Sequence, residues 1–345
     1  MRKTVGSIQY LRAVAALMVV LHHASFAPLH GNGFVIDARV GRAGVDIFFV
    51  ISGFVMVYTT QSKAITPLEF IRSRIVRIVP LYWAVTLVMF SLATLFPTHI
   101  HTASSSPADL VRSLLFIPFW NSTSHRFEPI IGQGWTLNYE MFFYALFALS
   151  LTWPKRSSVY VLSMIVTIVA VGAVGHPEFF LGSYYTDAII AEFGVGVLLA
   201  KAYLAEQERP WLLPLCFACS AIASPFSFLY GDHRAIYFGI PAFAVVSGAL
   251  LLERRIPFTN RAMLELGDAS YCLYLIHGIV IGACLRIAEK FFSIDGALVN
   301  LGFMAVVVVI AQTVAIGVYQ YVERPALYWI RTKTGKRGVV AAART

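Results

Sequence analysis

The chain has 345 residues, of which 58% are hydrophobic and only 13% are charged, and its mean hydropathy is +0.71. A soluble domain carries about 25% charged residues, so this composition excludes an ordinary soluble protein and predicts a membrane protein that crosses the bilayer several times. The net charge of +9 could suggest a nucleic-acid partner. However, the basic residues map to the loops between apolar segments, so no nucleic acid is expected.

The first apolar segment runs from about Ile8 to Pro28 and carries three ionisable residues, Arg12, His22 and His23. As a helix it would be roughly 31 Å long, which is enough to cross a bilayer once. His23 then lies about five residues inside the far end, and Arg12 lies near the entry end. A buried ionisable group is costly, so His23 is a functional candidate. The alternative is that it only hydrogen-bonds to a neighbouring helix.

The second apolar segment covers about 44–60 and holds Asp46 near its start. Its Ser52-Gly53 pair would allow another helix to approach closely. A basic segment at 61–77 precedes the third predicted span, 78–96. A polar stretch at 97–134 follows this span. Within the polar stretch, Asp109 to Trp120 could form a short interfacial helix. The remaining predicted spans are 135–153, 157–174, 180–203, 211–229, 235–252, 270–291 and 297–321.

Ten spans place both termini on the same side of the membrane. If that side is the cytoplasm, most of the 27 Lys and Arg residues lie there, which is the usual asymmetry of membrane proteins. We therefore predict an all-α polytopic membrane protein, a single bundle of about ten transmembrane helices with both termini cytoplasmic. Residues 1–330 would form the membrane-embedded domain, and 331–345 a basic cytoplasmic tail. The four cysteines lie in apolar segments, so we expect packing roles and no metal site.

Glu140 is predicted to lie at nearly the same depth as His23, because the fourth span enters from the outer side at Trp135. A histidine and a glutamate at matched depth could form a general-base pair, in which the carboxylate orients the imidazole. The alternative is an inert buried ion pair.

Arg74 and Arg77 are three residues apart at the cytoplasmic start of the third span, and hence on one helical face. Their guanidinium groups suit the phosphates of a donor molecule. The alternative is contact with anionic lipid, which this segment alone favours. Two further intramembrane acids, Asp46 and Glu323, are interpreted as structural.

Six short motifs occur in order along the chain. They are Arg12-x10-His23, Gly44-Val-Asp-Ile-Phe-Phe-Val-Ile-Ser-Gly-Phe54, Arg74-x2-Arg77 followed by Pro80, Trp135-Thr-Leu-x2-Glu140, Ser270-Tyr-x2-Tyr274-Leu-x-His277 and Glu323-Arg-Pro325. Together they resemble the acyltransferase 3 family of integral-membrane acyltransferases, and specifically its exopolysaccharide-production members. The resemblance covers nearly the whole chain.

This resemblance implies that His23 is the catalytic histidine, at the family's spacing from Arg12, and that the paired arginines serve a cytoplasmic acyl-CoA. We therefore expect His23 and Glu140 to be catalytic, and Arg12, Arg74 and Arg77 to bind the donor. His23 would either deprotonate the acceptor hydroxyl directly or carry the acyl group as a covalent intermediate, and the sequence does not decide between the two. The expected supporting residues are Asp46, Ser52, Trp135, Tyr274, His277 and Glu323.

The predicted function is transfer of an acyl group, acetyl above all, from cytoplasmic acyl-CoA to a hydroxyl of a cell-surface or exported glycan. The acceptor would be an exopolysaccharide, a lipopolysaccharide or a lipid-linked saccharide, handled in the bacterial inner membrane. Polysaccharide-assembly proteins are further candidate partners. Two alternatives remain at this point. A proton-coupled transporter would also bury His, Glu and Asp in the membrane, although paired broken helices in symmetric halves are not apparent. A non-catalytic polysaccharide-export partner would explain the topology but not the set of polar residues.

Overall fold

The computed structural model describes residues 5–25, 39–61, 65–98, 100, 103–177, 179–231, 233–291 and 297–333. Within these ranges the chain is almost entirely helical, which confirms the predicted all-α class. The helices are α1 (Gly6–Ser25), α2 (Ala43–Thr60), α3 (Pro67–Leu95), α4 (Pro107–Leu114), α5 (Trp135–Ser150), α6 (Ser157–Gly175), α7 (Phe180–Tyr185), α8 (Ala191–Leu204), α9 (Leu212–Ser227), α10 (Arg234–Tyr237), α11 (Gly239–Leu252), α12 (Arg261–Asp268), α13 (Ser270–Phe291), α14 (Ala297–Val318) and α15 (Arg324–Lys333).

Six helical stretches in the described part of the chain are long and apolar enough to cross a membrane. They are Val40–Thr60, Pro67–Leu95, Pro154–Gly175, Arg234–Leu252, Ser270–Phe291 and Val299–Ile330. These stretches support a membrane protein. The count of ten spans and the side of the membrane that holds the termini stay predictions, and most of the predicted tail at 331–345 lies outside the described residues.

The third predicted span is longer than the sequence indicated, because α3 begins at Pro67 rather than near Ile78 and runs for 29 residues. Its start is fixed by a capping box. The Thr66 hydroxyl accepts from the Glu69 backbone N–H, and the Glu69 carboxylate accepts from the Thr66 N–H. The arginines predicted to precede this span therefore lie inside the same helix as its apolar part.

Two other boundaries differ from the prediction. The predicted span at 180–203 is broken into α7 and α8, because Asp187 accepts from the Ile189 N–H and starts a separate turn. The predicted interfacial helix ends early, at Leu114, since Phe116 has a positive φ of 58° that a helix cannot continue through. The chain then forms a short antiparallel hairpin, β1 (Trp120–Asn121) and β2 (Arg126–Phe127).

Helix α2 lies in the centre of the bundle and touches α8 backbone to backbone. A Cβ placed on Gly53 would lie 2.0 Å from the Phe193 carbonyl oxygen, and one on Gly196 would lie 2.1 Å from the Val50 oxygen. Only glycine permits such an approach, as the Ser52-Gly53 pair predicts. The two helices therefore form one closely packed unit.

Helix α1 is held between α2 and α12 by the same kind of contact. A Cβ on Gly44 or on Gly267 would lie 2.3 Å from a carbonyl oxygen of α1. At the start of α1, the Glu253 carboxylate accepts from the backbone N–H groups of Gly6, at 3.1 Å, and Ser7, at 2.6 Å. A carboxylate at a helix N-terminus stabilises it. These contacts fix the helix that carries Arg12 and His23.

Candidate active site

A cavity with about 820 Å³ of space, its open mouth included, lies between α1, α2, α3, α5 and α13. Helix α2 supplies an apolar wall. The polar residues that line the cavity are Arg12, Ser52, Arg74, Arg77, Thr136, Glu140, Tyr144, Tyr271 and Tyr274. The structure therefore brings six of the eleven predicted site residues into one cavity.

The three arginines give the cavity an excess of positive charge, because Glu140 is the one acidic residue among those that line it. Arg74 lies with its guanidinium carbon 5.3 Å from the centre of the Phe70 ring, and its buried Nε has no hydrogen-bond partner among the described residues. Arg12 donates to the Gln9 side-chain oxygen at 3.2 Å. Three guanidinium groups lining one cavity suit a bound phosphate.

Glu140 is held by the walls of the cavity. Its carboxylate accepts a hydrogen bond from the Ser52 hydroxyl at 3.3 Å and a very short one from the Tyr144 hydroxyl. Ser52 lies on α2, and Tyr144 lies one turn further along α5. These bonds aim the carboxylate into the cavity, in the neighbourhood of Arg12 and Arg74.

Two further acidic residues interact with Arg12. Burial raises the pKa of the Asp268 carboxyl on α12, and the nearby charges of Arg12, Arg77 and Arg324 oppose that rise. Glu323, which is 4% exposed, accepts from the Cys272 thiol at 2.8 Å and interacts electrostatically with Arg12. Arg12 and Arg77 thus lie where α1, α3 and α12 meet.

His23 lies beyond the other end of the cavity. Arg12 and His23 are eleven residues apart, which is about 16 Å along α1. The exposed His23 ring has its Nδ1 2.9 Å from the Val19 carbonyl oxygen and 3.3 Å from Nε2 of His277. The His277 ring in turn lies 5.9 Å from the ring of Tyr274, which lines the cavity.

The structure does not bring His23 and Glu140 into hydrogen-bond contact. The charged groups that interact electrostatically with His23 are instead Glu128 and Arg126, on and after β2. The sequence predicted that His23 and Glu140 lie at nearly the same depth in the membrane, each on its own helix. It could not give the direction in which each side chain points around its helix.

Asp46 and Trp135 lie around an arginine that the sequence did not single out. Arg234 donates to the fully buried Asp46 carboxylate at 2.8 Å, and its guanidinium carbon lies 5.5 Å from the Trp135 ring. The buried Glu192 of α8 interacts with the same carboxylate. Glu192 is an acidic residue inside a predicted span, and that alone could have marked it. Arg234 carried no such signal.

Tyr274 joins the cavity to the loop that precedes α5. Its hydroxyl donates to the Gln133 carbonyl oxygen at 3.0 Å and lies 2.8 Å from the Thr136 hydroxyl. The Gln133 side chain donates to the Leu275 carbonyl oxygen at 2.7 Å. This loop and α13 therefore hold each other in place beside the two histidines.

The sequence was compared with known proteins. A family model described as an acyltransferase domain, that of the acyltransferase 3 family, matches residues 5–320. The exopolysaccharide production protein ExoZ of Rhizobium meliloti is 32% identical over 319 residues, covering 88% of this chain and 95% of that protein. The acyltransferase MdmB of Streptomyces mycarofaciens is 25% identical, covering 98% of this chain and 94% of that protein.

A third relative, the O-acetyltransferase OatA of Staphylococcus aureus, is 24% identical over 77% of this chain and 49% of its own length. No solved structure matches the chain. The family model covers most of the sequence, and the six apolar helices agree with it. The chain therefore belongs to the acyltransferase 3 family, and it is a membrane acyltransferase.

Proposed function

We propose that this acyltransferase moves an acyl group, with acetyl-CoA as the expected donor, to a hydroxyl of a glycan bound for the cell surface. The observation that carries the proposal is the cavity with three arginines and one glutamate at one end and His23 beyond the other. The names of two relatives, an exopolysaccharide production protein and an O-acetyltransferase, support a saccharide acceptor and an acetyl group.

The donor binds at the arginine end of the cavity. Coenzyme A carries several phosphate charges on an elongated molecule, so its phosphates pair with Arg12, Arg74 and Arg77 while its thioester arm enters the apolar part of the cavity. The buried Nε of Arg74, which has no hydrogen-bond partner among the described residues, favours such an anion, because its N–H is left to donate to a phosphate oxygen. In the proposed topology this end faces the cytoplasm, where acyl-CoA is made.

The acceptor binds at the His23 end. The hairpin near His23 presents two rings, Trp120 and Phe127, which are 51% and 45% exposed, with centroids 4.9 Å apart. Phe127 also stacks on Phe180 at 4.2 Å. Exposed rings beside charged groups offer an apolar face and polar partners, which suits a sugar. Membrane-interface aromatics would share this placement.

The transfer itself needs one base. The O–H bond of the acceptor hydroxyl breaks as its proton moves to Nε2 of His23, and the oxygen forms a bond to the acyl carbon. The carbon–sulfur bond of the thioester then breaks, and the coenzyme A thiolate leaves and takes up the proton from the imidazolium. Glu140 lies near the donor arginines, so its role is to balance their charge, and Ser52 and Tyr144 hold its carboxylate in place.

The test uses membranes that contain the full chain, an acyl-CoA labelled in its acyl group, and the cell's own glycans. Label is expected in the glycan fraction with the parent chain, none with His23→Ala, and a smaller loss with His22→Ala at equal amounts of inserted protein. Several acyl-CoAs are compared to find the preferred chain length. Absence of labelled glycan with every acyl-CoA, or equal activity of the two histidine variants, would refute the proposal.

A further inference from the structure

A second histidine is hydrogen-bonded to the proposed base. His277 is fully buried on α13, and its Nε2 lies 3.3 Å from Nδ1 of His23. The two ring centroids are 4.9 Å apart. Each ring also bonds back to its own helix: His23 Nδ1 lies 2.9 Å from the Val19 oxygen, and His277 Nδ1 lies 3.2 Å from the Leu273 oxygen.

These contacts assign the protons on both rings. A carbonyl oxygen can only accept, so the nitrogen that faces it must carry hydrogen. His277 therefore has its proton on Nδ1, which leaves its Nε2 as an acceptor when the ring is neutral. His23 likewise has its proton on Nδ1, and this N–H is shared between the Val19 oxygen and Nε2 of His277. The unprotonated nitrogen of neutral His23 is then Nε2, the one free to take a proton from an acceptor hydroxyl.

We infer that His277 is a positioning residue for His23, and that its Nε2 accepts the His23 Nδ1 hydrogen, orients the ring and stabilises the imidazolium formed during transfer. The inference rests on the proposed function, in which His23 is the base. Orienting a histidine base through its Nδ1–H is usually the task of a carboxylate. Here the carboxylate that the sequence offered, Glu140, is bonded elsewhere, and a neutral imidazole takes its place.

The surroundings of His23 agree with this role. Among the described residues, the titratable and charged groups near it are His22 on α1, His277 on α13, and Arg126 and Glu128 ahead of α5. The Val19 carbonyl oxygen belongs to the same helix as His23, and a hydrogen bond to it cannot alone set the rotation of the His23 ring. His277 lies on a different helix, and its contact with His23 gives a second restraint on the orientation of the His23 ring.

The test compares His277→Leu, which removes the acceptor, with His277→Gln, whose side-chain oxygen can still accept the hydrogen. His277→Met serves in place of His277→Leu if the latter fails to insert, since the two side chains are close in volume. His277→Leu should lower kcat about tenfold and leave the donor KM unchanged, because one hydrogen bond to a charged ring is lost. His277→Gln should recover most of that loss.

The pH profile separates this role from simple packing. Without its acceptor the His23 imidazolium holds its proton less firmly, so the pH of half-maximal activity on the acid side should fall by about one unit in His277→Leu. An unchanged kcat in His277→Leu, or a His277→Gln variant as impaired as His277→Leu with no shift in the profile, would overturn the inference. His23→Ala is measured alongside. If it stays active, the proposed function fails; if it is inactive while His277→Leu is normal, only the inference fails.

Discussion

Replacing Arg74 should weaken donor binding far more than it weakens the fold. The Nε of this residue has no hydrogen-bond partner among the described residues, and its guanidinium packs over the Phe70 ring. Arg74→Ala therefore removes a cation–π contact worth about 0.5–1 kcal/mol of stability. It also removes a charge-assisted bond to phosphate worth about 1.5–3 kcal/mol, so the donor KM should rise roughly ten- to a hundredfold.

Arg72 provides the matched control, because it is exposed on the same helix two residues away and so points to a different side. Initial rates are measured in membranes against donor at saturating acceptor, and then against acceptor at saturating donor. Arg74→Ala and Arg77→Ala should raise only the donor KM, and Arg74→Lys, which keeps the charge without the fork, should recover part of it. If Arg72→Ala raises the donor KM as much, or if the Arg74 and Arg77 variants leave the donor KM unchanged, Arg74 and Arg77 interact with anionic lipid rather than with the donor.

Two further predictions concern the fold and the topology. Arg234→Ala should leave the buried Asp46 carboxylate unpaired and lower the free energy of unfolding by about 3–5 kcal/mol, measured as a lower thermal midpoint in detergent. Adding Asp46→Asn should restore part of the lost stability. A double variant less stable than Arg234→Ala would contradict this prediction. A cysteine placed at the exposed Ser122 should react with an impermeant thiol reagent from outside the cell, and one placed at the exposed Lys155 should not. The parent chain gives the background labelling. The opposite labelling would reverse the proposed sides for donor and acceptor.

Much of this organisation could be predicted from composition and spacing. The all-α class followed from apolar segments of membrane length, and the family followed from six motifs in order. Helix boundaries were less accessible, because they depend on local hydrogen bonds such as the capping box of Thr66 and Glu69. The break before α8 likewise depends on the Asp187 side chain. Hydropathy does not report such bonds.

The candidate site shows the same limit in three dimensions. Spacing along a helix gives depth, and Arg12, Arg74 and Arg77, all predicted to lie near the cytoplasmic side, line one cavity in the structure. It did not give the orientation of a side chain around the helix axis. The partners of Glu140 are therefore Ser52 and Tyr144, and the partner of His23 is His277.

The glycine contact between α2 and α8 decides which walls of the cavity can act as moving parts. The backbones of α2 and α8 touch at Gly53 and Gly196, so no layer of side chains lies between the two helices. We therefore expect α2 to move little relative to α8. The wall formed by α3 is built differently. Helix α3 contains Pro80, which removes one helical hydrogen bond just beyond Arg77 and provides a natural place to bend. Of these two walls, we therefore expect α3, which carries Arg74 and Arg77, to be the one that can bend.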